Sequence, residues 1–255
     1  MTRPAWAAFG VLALAQIAVP LTDDDATLEW LSTLVVVAFA ATTFALAAGS
    51  WGLRCASSAL GLVVVGTLAV ERIGHTTGFP FGEYDYTGAL QPTIGGVPVI
   101  VPLAWFAMGV PALEVGHAIA RGTEPLPERR GVRAAAASHV APVVVGALAL
   151  TAWDLFLDPQ MVEHGYWVWE VDGAYEGIPL SNYAGWLGTG VAVLAVLDRL
   201  RPVRPPGVPL LGLYTWWAVM STVGFLAFFG RPLVGVVGGI GMGTCAALAW
   251  WRRRG

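Results

Sequence analysis

Two carboxylates four residues apart, Asp154 and Asp158, and a second pair at the same spacing, Glu71 and His75, are the side chains whose types and positions point most directly to chemistry. On a helix each pair shares a face, about one turn apart. Both pairs sit at the ends of long apolar runs, where an ionisable group is costly enough to be a functional candidate by default. Burial favours the neutral form of a carboxyl group, more so beside a second carboxylate, and a neutral acid can donate a proton. Pro159 is expected to stop or bend the helix just after Asp158.

The surrounding segments are unusual for connections between apolar runs. The first, Glu71 to Gly96, contains Gly78-Phe79-Pro80-Phe81-Gly82-Glu83-Tyr84-Asp85-Tyr86. The second, Asp154 to Asn182, contains Tyr166-Trp167-Val168-Trp169-Glu170 and Gly173-Ala174-Tyr175-Glu176-Gly177-Ile178-Pro179. Five of the six tyrosines fall in these two segments or directly after them. An interfacial aromatic belt explains Trp6, Trp30, Trp51, Trp250 and Trp251. It explains less well why the same two segments also gather acids with Arg72 as their one base. Irregular backbone near a membrane needs protein or water to satisfy it, so both segments are expected to fold over the bundle as a lid.

The elements that hold them are read from composition. The chain has 255 residues, 56% hydrophobic and 12% charged, too apolar for an ordinary soluble domain of that length. A bilayer core needs roughly 20 apolar helical residues. Eight runs qualify: Ala5 to Leu21, Leu28 to Ala48, Cys55 to Val70, Val97 to Ala120, Ala134 to Leu157, Tyr183 to Leu197, Val208 to Phe229 and Pro232 to Trp251. The third and sixth are short, which leaves seven as the alternative. The expected fold is an all-α polytopic membrane protein: one membrane domain over residues 1–255, with functional loops at 71–98 and 154–183 on one side. The first run reads as a retained helix, because spans follow it at once.

With eight spans, Arg3, Arg54, Arg121, Arg129, Arg130, Arg133, Arg199, Arg201, Arg204, Arg252, Arg253 and Arg254 share one face, and thirteen of the 17 acids lie on or near the other. Basic residues near span ends prefer the cytoplasm, so both termini are expected there, in a multi-pass protein of the cell membrane. No basic face suits nucleic acid. The two cysteines, Cys55 and Cys245, are too few and too far apart for a disulfide scaffold or a cysteine zinc site.

Glu71 with the Gly78 to Tyr86 block, then Gly96-Val97-Pro98-Val99-Ile100-Val101-Pro102 and Trp105, resembles the integral-membrane carotenoid hydratases, which include gamma-carotene 1'-hydratases and bisanhydrobacterioruberin hydratases. Trp153-Asp154, Asp158-Pro159, Trp167-x-Trp169, Gly173-x-Tyr175-x-Gly177-x-Pro179 and Asn182-x-x-Gly185-Trp186 are similar to the same family. The likeness spans Glu71 to Trp186. It implies an enzyme of the hydro-lyase type in carotenoid biosynthesis, adding water across the terminal double bond of an acyclic carotenoid end to give a tertiary alcohol. The expected partners are the lipophilic carotenoid, water and the bilayer.

Proton-initiated hydration needs a neutral acid, aromatic faces for a carbocation and a group that holds the water. Asp154 is the candidate donor, with Glu71 or Asp158 holding the water or tuning the donor. Glu83, Asp85, Glu170 and Glu176 read as solvated loop charges. Trp105, Trp153, Tyr84, Tyr86, Trp167, Trp169, Tyr175 and Trp186 are candidates to line the pocket. Asn182 either orients water or caps a helix. No redox cofactor or metal is required.

Three other readings compete. Asp154-x-x-x-Asp158 and the run Asp23 to Asp25 would suit a magnesium-dependent prenyltransferase, except that diphosphate wants cations and this side has almost none. Glu71, His75, Asp154 and Asp158 could bind a metal together, as in an oxygen-dependent hydroxylase. A proton-coupled transporter should spread its acids through the membrane depth, whereas these crowd one side. Glu114 and His117 read as a local pair at the opposite interface.

Overall fold

Lipid offers no hydrogen-bond partners, so apolar runs cross it as helices that satisfy their own backbone. The computed structural model describes residues 2–121, 132–203 and 207–254, and within them eight helices form. They are α1 (Arg3–Ala18), α2 (Asp25–Trp51), α3 (Leu53–Thr77), α4 (Ile100–Arg121), α5 (Val132–Glu163), α6 (Leu180–Leu200), α7 (Val208–Ala227) and α8 (Pro232–Arg254). All eight are long and apolar enough to span a bilayer, and the chain is an all-α multi-pass membrane protein. The even number of crossings puts Arg3 and Arg254 on the same face. Arg129, Arg130 and Arg204, part of the predicted orientation signal, lie outside the described residues.

Helices overrun the predicted spans towards the acid-rich face. α3 continues past Val70 to Thr77 and ends at Gly78, whose φ of 74° is the left-handed cap that glycine adopts without strain. Glu71 is therefore inside a helix. α5 likewise runs through Pro159 to Glu163 instead of stopping after Asp158. Pro159 has no N–H for the Leu155 carbonyl one turn back. The Tyr175 hydroxyl donates to that carbonyl at 3.0 Å, which removes the penalty of an orphaned acceptor. Pro111 in α4 is accommodated the same way, since Thr43 Oγ1 donates to the Ala107 carbonyl at 2.9 Å.

α4 is the axis of the bundle, with 83% of its apolar window buried against α2, α3, α5, α6, α7 and α8. Its crossing with α5 is close because Gly116 has no side chain; a Cβ there would lie 2.0 Å from the Pro142 carbonyl oxygen. Small residues permit such backbone approach in membranes.

Three short strands, β1 (Tyr84–Tyr86), β2 (Thr93–Ile94) and β3 (Val97–Pro98), lie in the first unusual connection, and β4 (Trp167–Trp169) in the second. β2 and β3 pair antiparallel, which is why α4 begins at Ile100 and not at Val97. β1 pairs antiparallel with β4, placing Tyr84 opposite Trp169 and Tyr86 opposite Trp167. With the two-residue period of a strand, these four aromatics share one face while Asp85 and Val168 face outward, exposed. The ladder thus ties the two connections together at the acid-rich end.

Candidate active site

Beneath that ladder, α3, α4, α5 and α6 bring Glu71, Trp105, Asp158 and Asn182 to one cavity with an empty volume of about 580 Å³. Among the described residues, Glu71 and Asp158 are the carboxylic acids on its wall, and the rest is apolar, aromatic, phenol or amide. Both carboxyls are almost wholly buried, at 5% and 2% exposure, and neither has a cation partner among the described residues.

Three donors hold Glu71. Tyr84 and Tyr86 donate to Oε2 at 2.8 and 2.9 Å, and the Trp105 indole donates to Oε1 at 2.8 Å. All three reach it because the β1 face and α4 converge on α3. Burial first, and then the charge of Glu71, push both phenols well above the usual tyrosine range, so they stay protonated donors.

Asp158 is held differently. The Trp167 indole donates to Oδ1 at 2.6 Å, and the Asn182 amide donates to Oδ2. The same Nδ2 donates to Asp154 Oδ2 at 2.8 Å, so one amide bridges the two acids that sequence spacing placed on a single helix face. Asn182 does not cap its helix: the N-cap of α6 is Pro179, with no side-chain cap. Asp154 is fully buried and its Oδ1 has no partner among the described residues.

Of the predicted site residues, Glu71, Asp158, Trp105, Tyr84, Tyr86, Trp167, Trp169, Asn182 and Trp186 meet on the cavity wall. Asp154, Trp153 and Tyr175 do not. Asp154 lies behind Asn182, Tyr175 serves the Leu155 carbonyl, and Trp153 meets Trp186 edge-on with ring centroids 6.1 Å apart. Trp186 in turn stacks on Trp105 at 4.1 Å. Sequence reading missed Phe81, Leu157 and Met161, which complete the apolar wall. The signal was adjacency: Leu157 and Met161 flank Asp158 on the same helical face.

The sequence profile of the family described as "Carotenoid biosynthesis protein" matches residues 28–249, most of the chain. The chain belongs to that family. Over 151 residues it is 32% identical to the bisanhydrobacterioruberin hydratase of Haloarcula japonica. The match covers 57% of this chain and 45% of that relative, a little under half of its length. No solved structure matches.

The rest of this family member's polar groups sort away from the cavity. Among the described residues no three His, Cys, Asp or Glu side chains are grouped to hold a metal ion. His75 does not join Glu71 and Asp158 on the cavity wall but faces Asp85 at 3.5 Å. Asp24 caps α2, its carboxylate accepting from the Thr27 side chain and N–H, which lower its pKa. At the arginine-rich end, Glu114 accepts from Arg201 at 2.9 and 3.1 Å, from the Trp51 indole at 3.1 Å and from Gly207 N–H at 2.9 Å. Glu114 is thus bound to Arg201 and not, as its spacing suggested, to His117. His117 and His139 instead hold the two oxygens of Asp198, each at 2.5 Å. These contacts tie α2, α4, α5 and α6 together.

Proposed function

We propose that this protein hydrates the terminal carbon-carbon double bond of an acyclic carotenoid end group, with Asp158 as proton donor and Glu71 as the carboxylate that holds the water. The observation that carries this reading is the contrast between two buried acids on one aromatic wall. Glu71 receives three hydrogen bonds, which favour its charged form. Asp158 shares the Asn182 amide with Asp154, and two such carboxyls without a cation repel unless a proton sits between them. The name of the Haloarcula japonica relative agrees with this chemistry.

In the proposed reaction the Asp158 proton moves to the less substituted alkene carbon and a tertiary cation forms at the other. Trp105, Trp186 and Trp169 offer aromatic faces to that cation, and cation-π attraction strengthens when water is excluded. Water held by Glu71 bonds to the cation and gives its proton to Glu71, so that one water is added and no electrons change hands. The proton taken up by Glu71 then passes by way of water to Asp158, which restores both acids, and Asp154, through Asn182, positions Asp158. The chemistry calls on no metal or redox cofactor, and water, the polyene and the bilayer are the partners. The arginine-rich face is assigned to the cytoplasm on its charge.

The test is expression in a host that accumulates a carotenoid with acyclic ends, followed by mass analysis of the pigments. Gain of one water per end, without need of oxygen, is the expected result. An oxygen-dependent gain of one oxygen atom would replace hydration by hydroxylation, and unchanged pigment would overturn the reading. A prenyltransferase is disfavoured because, among the described residues, no cation lines the cavity wall.

A further inference from the structure

A linear polyene is far longer than the acid cavity, so most of it must lie elsewhere, and the structure offers two apolar spaces next to that cavity. One, with an empty volume of about 840 Å³ that opens to the outside, is bordered by α1, α2, α5 and α7. The other, of about 1250 Å³, is a groove between α3 and α6. They differ in how they meet the acids.

The groove is shut off. Phe79 and Pro80 line it, whereas the next residue, Phe81, lines the acid cavity. The Phe81 ring is seated on two glycines: a Cβ at Gly74 or at Gly185 would come within 2.7 Å of it. Phe81 is 2% exposed and fills the place where groove and cavity would join.

The seam between α2 and α5 is different. It is tied at one level by Phe39 and Trp153, whose ring centroids are 6.3 Å apart. Nearer the acid-rich face it is tied again by Ser32 Oγ and Tyr166 Oη, 3.0 Å apart. Between the ties, half-buried Val36, Leu157 and Met161 line the acid cavity, while their neighbours Val35 and Gln160 line the second space. Aromatic contacts also run across: Trp217 in the second space lies 5.7 Å from Trp153, which meets Trp186 over the acids.

We infer that the seam between α2 and α5, framed by the Phe39–Trp153 and Ser32–Tyr166 contacts, is a lateral window through which a linear polyene reaches the acids from the bilayer, its unreacted length lying in the space bounded by α1 and α7. The inference rests on the hydration reading for the identity of the reacting end. Among the described residues the path is apolar and aromatic apart from the amides of Gln16 and Gln160 and the hydroxyl of Ser221, which suits a hydrocarbon chain and no charged ligand.

Val223 and Ile17 line the second space and are each 47% exposed, so Val223→Trp and Ile17→Trp fill it without burying a larger side chain in the core. Gly188→Trp is the matched change in the α3–α6 groove, where an added Cβ meets nothing within 4 Å. Binding of a linear C40 polyene to the purified full chain is read from pigment absorption. A loss of at least about tenfold in affinity is expected for Val223→Trp and Ile17→Trp, and none for Gly188→Trp. Gly188→Trp, outside the path, should also convert the bound polyene at the wild-type rate. Loss confined to Gly188→Trp, or full polyene binding by both Val223→Trp and Ile17→Trp, overturns the inference, as does wild-type protein that binds no polyene. Polyene binding with the expected pattern but no water added by any protein would sink the hydration reading and leave the window standing.

Discussion

The indole N–H of Trp105 donates to Glu71 Oε1 at 2.8 Å, joining the central helix α4 to α3 at the floor of the acid cavity. Because the acceptor is a carboxylate, this bond is worth about 1.5–3 kcal/mol. Trp105→Phe keeps an aromatic face for the cation and removes only the donor. Conversion should fall by roughly tenfold to a hundredfold at unchanged protein level, whereas Glu71→Gln should abolish it. Pigment analysis with immunoblotting of the membrane fraction checks both. Wild-type conversion by Glu71→Gln would remove this residue from the mechanism.

The two aspartates are separable by where they sit. Asp158 lines the cavity and Asp154 lies behind Asn182, so Asp158→Asn should eliminate product. Asp154→Asn should lower kcat by at least about tenfold with KM unchanged, since it acts on the donor and not on the bound chain. If Asp154→Asn is inactive and Asp158→Asn retains wild-type turnover, the proton comes from the other acid.

Tyr84 and Tyr86 allow a prediction about pH. Burial and the Glu71 charge raise both phenols, so they remain neutral donors where a free tyrosine ionises, near pH ~10. The sign is that a raised phenol keeps its proton, and its hydrogen bond to Glu71, as pH rises through that value. Turnover should therefore show no alkaline loss due to these groups, and wild type and Tyr84→Phe should share the same alkaline limb. A limb near pH ~10 that vanishes in Tyr84→Phe would contradict the burial argument.

Much of this arrangement was legible in the sequence, and what was not has a physical reason. Charge and hydropathy gave eight spans and put the acids on one side, because lipid imposes both patterns on composition. The i,i+4 spacing put Asp154 and Asp158 on one face, and the structure keeps them together. Which of them faces the cavity depends on the position of Asn182, 24 residues beyond Asp158, and no local pattern fixes that. Tyr-Asp-Tyr and Trp-Val-Trp each alternate as strands do, yet three residues are too few to distinguish a strand from an interfacial belt. Their pairing is a long-range fact. Pro159 does not stop its helix, for the same reason: its breaking tendency is local, and the hydroxyl that meets the freed carbonyl comes from Tyr175.

The arginine-rich end should govern stability and not chemistry. Glu114 and Arg201 are 1% and 3% exposed, and replacing Arg201 leaves the buried Glu114 carboxylate with the neutral donors Trp51 and Gly207 in place of its cation. Arg201→Met should cost about 3–5 kcal/mol, seen as a lower Tm in detergent and less protein in the membrane. The double change Arg201→Met with Glu114→Leu should recover part of the loss, because no lone charge remains. Turnover per folded molecule should be unchanged in both, since this pair lies outside the cavity wall.

The Tyr175 bond to the Leu155 carbonyl can be isolated with a cycle of substitutions, because its need is created by Pro159. Tyr175→Phe orphans a part-buried acceptor and should destabilise the protein by about 1 kcal/mol. Pro159→Ala supplies a backbone N–H to the same carbonyl, so Tyr175 is no longer required there. Tyr175→Phe in the Pro159→Ala background should then cost markedly less than in wild type, a coupling measurable as non-additive shifts in Tm. Additive shifts would mean that the carbonyl is satisfied in some other way and that α5 tolerates its proline without this hydroxyl.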